Sequence, residues 1–274
     1  MIQTIKKIDS IEIQDLSIFR TLKQQNDHRH EGVFVAEGHF VVERLLQTPL
    51  RIRSVLFTQS WLETFRTELE NRPEMIDVFI GEKQELARIT GYELHQFIMA
   101  CAEIPQVKTI DEIIESSKTP ILLMALDGLT SSDNVGLVLR NCAAFGVHAL
   151  IAGETSADPW LRRAVRKSMG NVFKVPVIYS DSLVDTIKKL RYEYGIDVYG
   201  AQITKESIPL YNVSLKGNCC FVMGNEGGGV SPEVLDACSK PLYIPMEEGV
   251  DSLNVSSAAA IILSEAVRQR NWAR

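Results

Sequence analysis

Two short apolar runs in this 274-residue chain end in loops whose residue types could do chemistry. The first run, Cys219-Cys220-Phe221-Val222-Met223, is followed by Gly224-Asn225-Glu226-Gly227-Gly228-Gly229, and Ser231-Pro232-Glu233 then opens a helix. The second, residues 242–246, leads through a turn at 247–251 into Ser252-Leu253-Asn254-Val255-Ser256 and a closing helix. At the ends of strands in an open α/β sheet, backbone N–H and C=O groups are unpaired and accessible, which is why ligands sit there. One carboxylate (Glu226) and two amides (Asn225, Asn254) stand beside the glycines, where a core has no use for them. A merely flexible turn would not need them. No Gly-Lys-Ser/Thr follows, so no lysine is placed to meet phosphates, and no G-x-G-x-x-G follows the earlier strands. The chemistry expected is a pocket for a polar ligand in which phosphate does not dominate.

A third stretch adds a cation. A buried strand at 121–126 ends in Asp127-Gly128, and the loop 129–133 leads into a helix holding Asn134, Gly136, Arg140, Asn141, Phe145 and Gly146. Ser132 or Asp133 is expected to cap this helix and Gly146 to end it. Arg140 lies among Val135, Leu137, Val138, Leu139, Cys142 and Ala143, and a buried guanidinium needs a partner. That partner is either an acidic neighbour, Asp127 or Asp133, or something bound. Asn134 and Arg140 are six residues apart, about 240° around an ideal helix. They face one site only if Asn134 belongs to the turn that opens the helix.

The elements that position these residues follow from pattern. Residues 1–105 alternate helical and strand periodicity: helices at 16–27, 39–46, 61–69 and 83–89, strands at 32–36, 52–57 and 76–80. This is a small α/β domain. Residues 106–120 read as a linker with at most one short helix, and 121–274 as a second domain. Within it, strands near 149–152, 172–175 and 197–200 join those at 121–126, 219–223 and 242–246, with helices between, which predicts a parallel sheet.

Composition bounds the function. An apolar fraction of 45% and a charged fraction of 23% are ordinary for a soluble globular protein. Five cysteines without paired spacing read as buried, reduced thiols of a cytoplasmic protein, and no apolar run is long enough for a membrane span. The N-terminus lacks the apolar core of a signal peptide. His28, His30, His39 and His148 have no partners at metal-ligand spacing and are read as solvated or structural, so no metal is expected. Net charge is −6, with 12 cationic against 16 acidic residues over 1–105 and 17 against 19 over the rest. Binding to a polyanion must therefore rest on a local patch. Residues 159–180 contain no acid but carry Arg162, Arg163, Arg166, Lys167 and Lys174, either a basic patch or a solvated helix face.

Three stretches together resemble the motifs of the SPOUT-class (SpoU/TrmH family) RNA ribose 2′-O-methyltransferases. They are Asn134 to Arg140 with Phe145-Gly146, Phe221 to Gly227 with Gly229 and Ser231, and Ile244-Pro245-Met246 with Ser252 to Ser256. Arg166 to Gly170 and Val175-Pro176 are similar to the family's middle segment. Residues 29–38 and His95-Gln96 resemble the L30e-like substrate-binding domain that precedes it in many members. The resemblance implies an α/β fold whose C-terminal parallel sheet carries a deep trefoil knot. It implies S-adenosylmethionine held around Met223, Gly224, Gly228, Ile244, Met246, Leu253 and Ser256, with a catalytic set of Asn134, Arg140, Glu226, Ser252 and Asn254. It further implies a homodimer acting on ribosomal or transfer RNA. A base-methylating SPOUT enzyme and an RNA-binding protein without transfer activity are the other readings; the intact polar set argues against the second. Three positions depart from the family pattern: Ser131-Ser132 where Asp-Pro is usual, the turn glycine at Gly249, and Phe97 where a glycine commonly follows His-Gln.

Overall fold

A computed structural model of the chain describes residues 1–8, 16–20, 31–90, 96–106 and 108–270. His28, Arg29, His30 and His95 lie outside the described residues. The chain divides into two compact units, Met1–Gln106 with Trp160–Phe173, and Val107–Pro159 with Lys174–Arg274.

The first unit is built on a five-stranded sheet. Strands β1 (Ile2–Lys7), β2 (Val33–Glu37), β3 (Ile52–Phe57), β4 (Ile76–Ile80) and β5 (Ile98–Glu103) lie in the order β1-β4-β3-β5-β2. β1, β4 and β3 run parallel, while β5 is antiparallel to both β3 and β2. Helices Lys83–Thr90 and His39–Leu46 form where periodicity places them; the second buries Val41, Val42, Leu45 and Leu46 on one face. β1 and β5 have weak strand signatures. β1 alternates half-buried and exposed positions at the sheet edge, and in β5 only Ile98 is β-branched, followed by the small or unbranched Met-Ala-Cys-Ala.

Trp160–Phe173 belongs with this first unit, a placement no periodicity announces. Phe34 of β2 meets Trp160 and Phe173 at ring-centroid distances of 4.7 and 5.5 Å. Glu37, 4% exposed, accepts from Arg162 and, at 2.9 Å, from Arg166. One strip of the basic helix Arg162–Lys167 is thus spent on a buried carboxylate, while Arg163 and Lys167 stay exposed on the other. The strand expected at 172–175 is a 3-10 turn, Asn171–Lys174. Val172 and Val175 are both buried at a spacing of three, the period of that turn, and Pro176 delays the strand to 177.

The second unit holds seven strands: β6 (Leu122–Leu126), β7 (Ala149–Ala152), β8 (Val177–Tyr179), β9 (Asp197–Ala201), β10 (Ile208–Pro209), β11 (Cys219–Met223) and β12 (Lys240–Tyr243). Their order is β10-β12-β9-β11-β6-β7-β8, and every pairing is parallel. β6, β7 and β11 are buried on both faces, as their unbroken apolar runs require. The segment read as a linker contains a helix, Ile110–Ser116, closed by a Thr109–Glu112 capping box. Ile113 is buried in the second unit's core with Ile110 and Ile114 against it, so this helix belongs to that unit.

All five cysteines are free and buried, and burial pushes their thiols up, Cys238 to about 12 and Cys219 to about 11. Such thiols are inert at neutral pH. His148 is structural: its Nδ1 accepts from the Leu122 N–H at 3.1 Å, and burial lowers its pKa. Among the described residues no helix is long and apolar enough to cross a membrane, and no three His, Cys, Asp or Glu gather as a metal site.

Candidate active site at the C-terminal strand ends

β9, β11 and β12 are adjacent parallel strands, so the loops leaving their C-terminal ends converge. They enclose a cavity of about 590 Å³, within the range of small-molecule sites. Met223, Gly224, Glu226, Gly228, Ile244, Met246, Ser252, Leu253 and Asn254 line it, together with Gln202, Asp251 and Val255.

The glycine loop is held by its own backbone and by three side chains, those of Asn225, Gln202 and Asp127. Asn225 and Gly229 exchange both backbone hydrogen bonds, at 2.8 and 2.9 Å. The Asn225 side chain donates to the Gly128 carbonyl at 2.7 Å and accepts from the N–H of Gly227 at 2.9 Å. Gly224 is required by close approach: a Cβ there would lie 2.0 Å from the Gly229 carbonyl carbon and 2.2 Å from the Val230 nitrogen. Gly229 has φ 72°, and a Cβ on it would meet Gln202 Oε1 at 1.9 Å. Pattern reading of the sequence does not single out Gln202, a lone polar residue after a strand. In the structure its Oε1 accepts from the Val230 N–H at 3.0 Å, tying the β9 loop to the β11 loop.

Asn134 joins two loops. Its Nδ2 donates to Glu226 Oε1 at 2.9 Å, and its Oδ1 accepts from Asn254 Nδ2 at 3.2 Å. Asn254 also caps the last helix, Val255–Gln269, accepting from the Ser256 N–H at 2.9 Å and from Ser256 Oγ at 2.7 Å. Ser256 is therefore engaged in capping and does not line the cavity; its carbonyl accepts from Asn141 Nδ2 at 2.7 Å.

The helix Ser132–Ala144 is capped by Ser131, one residue before the expected caps, whose Oγ accepts from the Asn134 N–H at 3.4 Å. Asn134 thus lies in the regular first turn, and Arg140 points to another face. Arg140 is exposed, which corrects the expectation of a buried cation among apolar neighbours. The stripe Val135, Val138, Leu139, Cys142 faces the core, and Arg140 stands outside it. Among the described residues Arg140 makes no hydrogen bond or ion pair. Asp127, one of its expected partners, instead accepts from the Ser231 N–H at 2.6 Å and fixes the far end of the glycine loop.

The mouth of the cavity is acidic. Glu226 and Asp251 line it, Glu247 and Glu248 are exposed on the same loop as Asp251, and no Lys or Arg is among the lining residues. The site therefore suits a ligand with cationic groups and does not suit a polyphosphate.

A parallel α/β sheet with a ligand cavity built from these motifs defines a class. The SpoU rRNA Methylase family model matches residues 121–264, and the chain belongs to that family. It is 34% identical to the 23S rRNA (guanosine-2′-O-)-methyltransferase RlmB of Neisseria meningitidis serogroup B, over 85% of this chain and 93% of that protein. The AdoMet-bound rRNA methyltransferase from Sinorhizobium meliloti superimposes with a TM-score of 0.80 at 22% identity, covering 96% of this chain and 98% of that one. The SpoU methyltransferase AviRb from Streptomyces viridochromogenes, in complex with AdoMet, does so with 0.81 at 23% identity, covering 95% of this chain and all of the other. These two likenesses concern the fold.

Proposed function

We propose that this protein is an S-adenosylmethionine-dependent methyltransferase acting on a ribose 2′-hydroxyl of ribosomal RNA. The observation that carries the reading is the Glu226–Asn134–Asn254 bridge beside the cavity, which joins all three motif segments. Bound S-adenosylmethionine supplies a methyl group already made electrophilic by its sulfonium, so the site needs no further activation of the methyl. Gly224, Gly228, Ile244, Met246 and Leu253 would hold it largely through backbone and apolar surface. The acidic mouth complements its cationic groups.

The chain's own residues then have to place the ribose and manage its proton. Asn134, oriented by Glu226 and Asn254, positions the ribose; Ser252, which lines the cavity, offers it a hydroxyl. A free guanidinium is a poor base at neutral pH, so Arg140 binds a backbone phosphate and stabilises the developing alkoxide, and the hydroxyl proton passes by way of that phosphate to solvent. Because Arg140 and Asn134 lie on different faces of one helix, and Arg140 does not line its own cavity, this role is met across a homodimer, with Arg140 serving the partner's site. The segment after the glycine loop passes through a deep trefoil knot, as in the SPOUT fold. The enzyme works in the cytoplasm, on RNA of the kind named for its curated relatives.

Mapping 2′-O-methyl sites in total RNA from cells with and without the gene tests the proposal. One ribosomal site should disappear with the gene and return with the wild-type protein. Unchanged methylation at every site would overturn it.

A further inference from the structure

We propose that the first unit carries a stacking site for one unpaired nucleobase, lined by Phe40 and Phe97; this rests on reading the protein as an enzyme of RNA. A column of rings leads from the core to this surface. Phe65 is buried and lies 5.9 Å from Trp61, Trp61 lies 4.8 Å from His39, and His39 is stacked at 4.8 Å and 22° on Phe40. Phe40, the outermost ring, is 53% exposed, so the column ends in an aromatic face open to a further ring.

The wall beside it is held under strain. Phe97 has φ 51°, a left-handed backbone that a bulky residue rarely adopts and a glycine adopts freely. Gln96 fixes this segment: its Oε1 accepts from the His39 N–H and its carbonyl from Trp61 Nε1, both at 2.6 Å. Strain of this kind concentrates at ligand clamps. Phe40, Phe97, Gln96 and Arg166 share a cavity of about 180 Å³, too small for a drug-sized ligand and suited to a single base.

The polar groups there are donors. Glu37, the carboxylate of the cavity, is engaged by Arg162 and Arg166. Arg166 gives one nitrogen to it and keeps its side chain 47% exposed; among the described residues its other N–H groups and Gln96 Nε2 have no partner. Lys83 Nζ lies 5.6 Å over the Phe97 ring. Aromatic faces flanked by unspent donors and cations complement the acceptor edge of a base and its phosphate, and do not suit a basic or purely apolar partner.

The test uses the full-length protein and labelled oligo(A), oligo(U) and oligo(C) in fluorescence anisotropy at fixed salt, with an RNA duplex as control. Phe40→Ala, Phe40→Leu and Phe97→Gly should each weaken single-strand binding about 5- to 150-fold. Phe40→Trp should keep it, and the duplex should compete poorly. Phe97→Gly should hold or raise the melting temperature, because it removes the strained ring from a left-handed backbone. Equal affinity of variants and wild type, including no measurable binding by either, would overturn the proposal. So would a change in sedimentation with no change in RNA affinity, which would make the patch a contact between copies. S-adenosylhomocysteine calorimetry and methylation of ribosomal RNA by the wild type separate the two readings. If both succeed while Phe40→Ala keeps wild-type affinity and KM for RNA, only the stacking site falls. If both fail, the enzymatic reading falls.

Discussion

Arg140 is exposed and bonded to nothing among the described residues, so its removal should cost the fold little. Its effect should appear in turnover. A donor aimed at charge that develops only in the transition state is worth on the order of 10²–10³-fold in kcat. We therefore expect Arg140→Ala to lower single-turnover methylation by that factor, with melting temperature and S-adenosylhomocysteine affinity unchanged. Arg140→Lys should recover little, because an ammonium cannot reproduce a planar two-pronged contact with phosphate. A fully active Arg140→Ala protein would remove the residue from the mechanism.

The closing helix carries two roles at its start that substitution can separate. Asn254 caps the helix through Oδ1 and steadies Asn134 through Nδ2. Asn254→Ala loses both, and losing the cap alone costs about 1 kcal/mol. Asn254→Asp keeps an oxygen for the cap and loses the donor, so we expect near-normal thermal stability with reduced kcat. Equal turnover in Asn254→Asp and the wild type would limit Asn254 to capping. Further along the same helix, the Arg268 side chain, joined by Gln269, holds Glu265 well below the usual carboxylate value of 4.5, at about 2, against the opposing effect of burial. The folded value is depressed, so this stabilisation is present above pH 4.5 and is lost as pH falls from about 4.5 through about 2. Arg268 is exposed and solvent screens the pair, so the contribution is modest. Glu265→Gln should flatten the loss of melting temperature across that window, measured by thermal unfolding at stepped pH.

At the scale of the whole molecule, the placement of Arg140 outside its own cavity fits the proposal that it serves the site of a second protomer. We expect a dimer in sedimentation and complementation between two inactive variants. Arg140→Ala and Glu226→Ala, unfolded and refolded together, should form mixed dimers with one intact site, giving roughly a quarter of wild-type activity by symmetry. No recovery from a mixture of verified dimers would place Arg140 at its own subunit's site.

Periodicity alone placed β3, β4, β7 and β11 to the residue, because each is a largely buried run, broken only by Arg53 in β3 and Asp77 in β4, whose ends are marked by polar or turn residues. The polar residues beside the glycines announced a ligand loop, because a core has no use for a carboxylate or an amide there. The order of the seven parallel strands, which brings the β9, β11 and β12 loops together, was not legible, because pairing between distant strands leaves no local pattern. For the same reason Gln202 and Asp127 were invisible as anchors of the glycine loop: their partners lie 28 and 104 residues away. Docking of Trp160–Phe173 on the first unit was hidden too, since a run of cations looks alike whether it meets solvent or a buried Glu37. The apolar neighbours of Arg140 point to burial, and only the rotation of its helix against the sheet decides which side of the stripe meets water.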